Sequence, residues 1–288
     1  MPLHRDQDGR TYVVHPNGQR THYVCDDFTD PWSPRETILI QHGFGRHSRF
    51  WYHWIPVLAR KYQVIRRDLR GHGYSSFPSP KEIKSYDYST EAILGELVDT
   101  LDQLGIAKVH FLGESTGGIL GEIFAAKHPD RLLSLTICSS PTYLPPPALQ
   151  LFAFGRKDWP TACRELGSRG WTEELARVPG TIPITDPAYL PWYLDQVSIS
   201  DGEGMGQYAE FLSKIDARPI LSQIRVPMLI LAPTASVAAK VDDQKAIADS
   251  ISGSRLALVE GGGHEIYVTR AEICQRWFLE FLDSLRAS

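Results

Sequence analysis

Apolar residues recur along this chain in two periods. Short continuous runs at Thr37 to Gln41, Tyr62 to Arg66, Val109 to Leu112, Leu133 to Cys138, Pro227 to Leu231 and Arg255 to Val259 read as buried strands. Between them lie stretches with helical spacing. Thr90 to Leu104 places Ile93, Leu94, Leu97, Val98, Leu101 and Leu104 on one face, with Gly105 where a C-cap belongs. Phe50 to Arg60, Gly118 to His128 and Asp242 to Ile251 are also helix-like, as is Ala271 to Leu285, with Ile273, Trp277, Phe281 and Leu285 four apart. At the N-terminal end, Thr11 to His15 and Thr21 to Cys25 flank Asn17-Gly18, a strong hairpin-turn pair. Strands alternating with helices predict an α/β fold built on a mostly parallel sheet covered on both faces.

The alternation breaks at Ser140. From Pro141 to about Ser222 the chain is rich in proline, glycine and aromatic residues, and shows no strand periodicity. This segment is predicted to be a mostly helical cap over the C-terminal edge of the sheet. The expected organisation is a core in two parts, residues 1–140 and 223–288, with the cap at 141–222.

At 288 residues the chain suits one large domain with an insertion, and it can bury a core without disulfide or metal staples. Its net charge of −4 without a basic block argues against nucleic-acid or anionic-membrane partners. The polar N-terminus has no signal-peptide core, and no run reaches the ~18–20 apolar residues of a membrane span. Cys25, Cys138, Cys163 and Cys274 are far apart, and the ten histidines show no metal-ligand spacing. The expectation is a cytoplasmic protein with a small-molecule substrate and with neither cofactor nor metal. The sequence sets no oligomeric state.

Three motifs carry chemistry. Gly113-Glu114-Ser115-Thr116-Gly117 follows an apolar strand and opens a helix, the context of a nucleophile elbow. The glycines permit the sharp turn, and the helix N-terminus favours developing negative charge. His264, in Gly261-Gly262-Gly263-His264, follows the last strand and can serve as the general base that a weakly nucleophilic serine needs. His42-Gly43-Phe44-Gly45 follows the first long strand. Its expected contribution is the Phe44 amide, which with the Thr116 amide would form an oxyanion hole; His42 itself reads as a structural loop residue.

Together with Asp68-Leu69-Arg70-Gly71-His72-Gly73-Tyr74-Ser75, these motifs resemble the α/β-hydrolase superfamily over about residues 37 to 285. The resemblance is to the capped branch holding epoxide hydrolases, haloalkane dehalogenases, carbon–carbon bond hydrolases, esterases and lactonases. It implies a serine hydrolase. Epoxide hydrolases and dehalogenases carry an aspartate where this chain has Ser115, which disfavours those two activities. The resemblance also exposes a departure. The family's usual aspartate falls at Ser236, and the alternative acid position, after the preceding strand, falls at Ser139. The candidates for orienting His264 are therefore Asp242 or Asp243, Ser236 or Ser139, Glu114, or no residue at all, with Asp242 preferred because it is nearest to the usual loop. The expected reaction is cleavage of a carboxylic ester or lactone of an apolar, aromatic or cyclic molecule through an acyl-serine. Trp159, Trp192 and Tyr193 of the cap are the expected substrate contacts. The alternatives are a small-molecule receptor on a hydrolase scaffold, or a carbon–carbon bond or amide hydrolase.

Overall fold

The computed structural model describes residues 4–79, 81–82, 86–183 and 186–286. Its centre is a nine-stranded sheet: β1 (His4–Arg5), β2 (Thr11–Val14), β3 (Arg20–Asp26), β4 (Thr37–Gln41), β5 (Gln63–Arg67), β6 (Val109–Glu114), β7 (Leu132–Cys138), β8 (Met228–Pro233) and β9 (Arg255–Val259), in the spatial order β1-β2-β3-β5-β4-β6-β7-β8-β9. The first three strands form an antiparallel meander, and β3 joins β5 antiparallel. From β5 onward the sheet is parallel. The hairpin between β2 and β3 turns at Asn17-Gly18, where Gly18 has φ 82°.

Helices cover both faces. On one side pack α2 (Thr90–Gln103), α3 (Thr116–Lys127) and α8 (Val241–Ser250). On the other lie the single turn α1 (Ile55–Leu58), the short α9 (Ile266–Thr269) and the long α10 (Ala271–Arg286). Every residue of β4, β6 and β8 is buried, as burial on two faces requires, so these strands read as continuous apolar runs rather than as alternations.

Between β7 and β8 the chain forms α4 (Pro146–Phe152), α5 (Trp159–Ala176), α6 (Tyr189–Val197) and α7 (Gly202–Leu212). The two ends of this insertion meet in an isolated bridge between Tyr143 and Asp216, which closes the insertion at its base. The helices sit over the C-terminal ends of the parallel strands, the edge where open α/β sheets bind ligands. Among the described residues no helix is long and apolar enough to cross a membrane.

Candidate active site

Ser115 stands between the end of β6 and the start of α3. Its backbone has φ 51° and ψ −125°, a conformation costly for any residue with a side chain. Two features hold it there. The Ser115 amide donates to Cys138 O at 3.0 Å, and Gly117 leaves no room for a β-carbon, which would lie 2.5 Å from Gln41 O. The helix behind the serine is thereby pressed against the end of β4 and the loop that follows it.

His264 follows β9 in a glycine-rich loop, and its amide donates to Gly180 O of the cap at 2.9 Å. Its Nε2 lies 3.0 Å from Ser115 Oγ. The ring is buried, and burial together with the nearby Arg46 charge pushes its pKa down to about 3. The imidazole is therefore neutral at ordinary pH.

The other ring nitrogen, Nδ1, faces Ser236 Oγ at 3.2 Å. Ser236 also receives the amides of Ala238 at 3.2 Å and Ala239 at 3.1 Å. Asp242, expected to orient His264, does not: among the described residues no hydrogen bond joins it to the ring. Its side chain is 96% exposed and lies 3.8 Å from Lys245, because the first turn of α8 faces solvent, where the helix dipole favours carboxylates. Asp243 lines the cavity described below, and among the described residues no hydrogen bond joins it to His264. Ser139 is buried with φ 51°, and its amide is bonded to Leu231 O, not to the histidine.

The loop after β4 carries Phe44, whose amide donates to Thr116 Oγ1 at 2.9 Å. The two expected oxyanion donors thus lie together, but the Thr116 hydroxyl occupies the Phe44 N–H at rest. The Thr116 amide opens α3 and has no partner within that helix. His42 is a strut: its Nδ1 donates to Gly43 O at 2.7 Å, and its Nε2 accepts the Leu69 amide at 2.9 Å.

Ser115 and His264 open into a cavity of about 450 Å³. Its wall is largely apolar, formed by Phe44, Leu144, Leu151, Phe152, Trp159, Trp171, Leu175 and Val237, with Lys240 and Asp243 also on it. Trp159 is on this wall. Trp192 and Tyr193 are not. Trp192 lines a separate groove with Tyr52 and Tyr189, while Tyr193 packs on Phe50 at 4.7 Å and faces Arg46. The reason is the position of α6, which rests on the segment following β4 and turns its buried side toward Phe50 rather than toward the cavity.

Two residues of the site gave no signal in the sequence. Arg46 donates through Nε and Nη2 to Glu265 Oε1 and through Nη1 to Phe44 O, so it fastens the oxyanion loop to the residue after His264. Glu265 Oε2 accepts Tyr189 O–H of the cap at 3.0 Å. Burial works against the Arg46 charge, yet Tyr193, Glu114 and Glu265 around it hold its pKa above the ordinary value. These residues are 219 positions apart in sequence, and only the fold brings them together. No cluster of three or more metal-ligating side chains occurs among the described residues.

The chain belongs to the alpha/beta hydrolase fold family, whose model matches residues 36–271, and it is a hydrolase enzyme. Among individual proteins it is similar to 3-oxoadipate enol-lactonase 2 of Acinetobacter baylyi, at 24% identity over 78% of this chain and 81% of that one. It is also similar to RutD of Pseudomonas savastanoi pv. phaseolicola, named provisionally as a carbamate hydrolase, at 24% identity over 86% of this chain and 93% of the other. Among solved structures, the enol-lactonase from Burkholderia xenovorans LB400 superposes with a TM-score of 0.77 at 25% identity, covering 94% of this chain and 99% of that one.

Proposed function

We propose that this enzyme cleaves a carboxylic ester or lactone of an apolar small molecule through an acyl-Ser115 intermediate. The observation that carries this reading is the 3.0 Å contact between Ser115 Oγ and His264 Nε2 at an apolar cavity. The names of the enol-lactonase relatives support the same reaction class.

The steps follow from the geometry. Ser115 Oγ attacks the carbonyl carbon as its proton passes to His264 Nε2, and the carbonyl π pair moves onto oxygen. The oxyanion takes the Thr116 amide and competes with the neutral Thr116 hydroxyl for the Phe44 amide; as a charged acceptor it forms the stronger bond. Collapse expels the alkoxide, which receives the Nε2 proton and leaves as alcohol. Water then gives its proton to Nε2, attacks the acyl carbon, and releases the acid while Ser115 recovers its proton. The cavity's aromatic wall suits a substrate with an aryl or cyclic group.

Ser115→Ala should abolish turnover of aryl esters with no loss of thermal stability. A variant retaining the wild-type kcat would overturn the nucleophile assignment. A second reading, a receptor with residual chemistry, is favoured by one observation: a hydroxyl, not a carboxylate, holds Nδ1. Under that reading a tight-binding ligand would protect the fold but would not be turned over.

A further inference from the structure

Among the described residues, the side of His264 that faces away from the serine is hydrogen-bonded only by Ser236. A hydroxyl there offers no charge when the imidazolium forms. The side facing the serine is different. Glu114, the residue before the nucleophile, is fully buried, and its Oε2 accepts the Gly43 amide at 2.8 Å. Its Oε1 has no hydrogen-bond partner among the described residues. That oxygen lies 3.7 Å from His264 Nε2 and 4.0 Å from Arg46 Nη1.

Charge counting gives this placement a meaning. Arg46 is engaged by Glu265, so the pair is near neutral. An imidazolium forming beside it adds a second buried cation, which is expensive unless an anion is close. Glu114 is the carboxylate whose free oxygen is within reach. The backbone is also shaped around it, since a β-carbon on Gly43 would stand 2.6 Å from Glu114 Oε2 and 2.8 Å from Ser115 Cβ. Glycine at position 43 lets the oxyanion loop clasp the carboxylate from above.

We propose that Glu114 balances the His264 imidazolium from the nucleophile side of the ring, in the role that an acid on the Nδ1 side would otherwise fill. The proposal rests on the acyl-Ser115 reading and deepens it. Glu114 acts through His264, so it is a positioning residue in the electrostatic sense. The ionisable groups around it are Arg46, Glu265, His264, Tyr193, Tyr267 and Cys138. Burial holds Tyr193, Tyr267 and Cys138 well above their ordinary values, so they stay neutral in the working range. Burial also raises Glu114 above the ordinary carboxylate value, with Arg46 opposing. Activity therefore falls on the acid side as Glu114 takes up a proton.

The test is a double-mutant cycle on the full chain with a p-nitrophenyl ester as probe. Glu114→Gln should lower kcat about 10²- to 10³-fold with KM within about threefold, the loss expected when a group acts mainly on the transition state. In a Ser236→Asp background, where a carboxylate reaches Nδ1, the same change should cost at least tenfold less. Glu114→Asp, which keeps the charge, should retain more activity than the neutral variant. The acid limb of the wild-type pH profile should move to lower pH in Glu114→Gln, toward the His264 value of about 3. Equal losses in both backgrounds, an effect on KM alone, or an Asp variant no better than Gln would overturn the proposal and leave Glu114 as an anchor for Gly43. Ser115 labelling by a fluorophosphonate in the same preparations separates the two readings. An unlabelled Ser115 in wild type removes the acyl-serine mechanism, whereas a labelled Ser115 with a silent Glu114→Gln removes this proposal only.

Discussion

Ser236 uses its oxygen in a way that matters for the base. Two amides, from Ala238 and Ala239, already donate to it, which accounts for both lone pairs of a hydroxyl. Its own proton is then directed at His264 Nδ1, which favours the tautomer with hydrogen on Nε2. That tautomer cannot take the Ser115 proton. Catalysis requires the other one, with Nδ1–H as a third donor to Ser236. A carboxylate at this position would accept the amides and Nδ1–H together. Ser236→Asp is therefore expected to raise kcat about 10- to 100-fold, a fraction of the ~10⁴-fold that a misoriented tautomer can cost. Steady-state kinetics check this, and a rate at or below wild type would contradict the tautomer argument. Asp242→Asn should change kcat less than twofold, since Asp242 is solvated beside Lys245; a tenfold loss would return it to the site. Family spacing marks Ser236 as the position beside Nδ1, whereas the acid nearest to it in the chain, Asp242, lies outside the site. Nearness along a helix start says little, because the first turn of α8 leaves Asp242 in solvent and holds Asp243 on the cavity wall with no hydrogen bond to His264 among the described residues.

At the scale of elements, the central parallel strands β4, β6 and β8 were readable because burial on two faces leaves a continuous apolar run. The helix-like stretch from Phe50 to Arg60 is helical only in part. The chain makes a 3₁₀ turn at Ser48–Trp51 and then the single turn α1. Trp51 and Trp54, three apart and both fully buried, converge on Tyr267 and Phe278, and a three-residue spacing suits 3₁₀ geometry better than an α-helix. The helical character of the insertion is legible in the sequence, but which aromatic faces the cavity is not. That choice depends on a kink in α5 at Gly167, with φ 67° and ψ 172°, which lies between Trp159 and Trp171 and leaves their rings 6.3 Å apart. Gly167→Ala forces a side chain into a conformation open almost only to glycine, at a cost of about 1–3 kcal/mol. It should lower the melting temperature and weaken kcat/KM for bulky aryl esters more than for acetate esters. Trp192→Ala should leave kcat/KM for both within about twofold. A selective loss in Trp192→Ala, with Gly167→Ala silent, would place the substrate in the other groove.

Across the whole molecule, several histidines are buried uncharged. Burial holds His42 at about 3 and His72 at about 4, alongside His264 at about 3. Each is depressed relative to its value in the unfolded chain, so the unfolded state binds the extra proton first as pH falls. Stability is thus fully present above pH ~6.5 and declines as pH drops toward 4, with His264 alone contributing a loss of up to about 2 kcal/mol by pH 5. Glu114 and Glu122, raised by burial, work in the opposite direction because they take up protons in the folded state. His264→Gln should therefore melt with a shallower pH dependence than wild type between pH 7 and 5. Parallel slopes would show that His264 is not buried neutral.

The claim on which the rest depends is that Ser115 carries the acyl group. Rapid mixing of the enzyme with excess p-nitrophenyl ester, followed by acid quench and peptide mapping by mass, tests it directly. An acyl-Ser115 intermediate gives a burst of about one phenol per active site and an acyl mass increment on the peptide containing Ser115, both absent in His264→Gln. A linear release with no burst and no adduct, or an adduct on another residue, would contradict it.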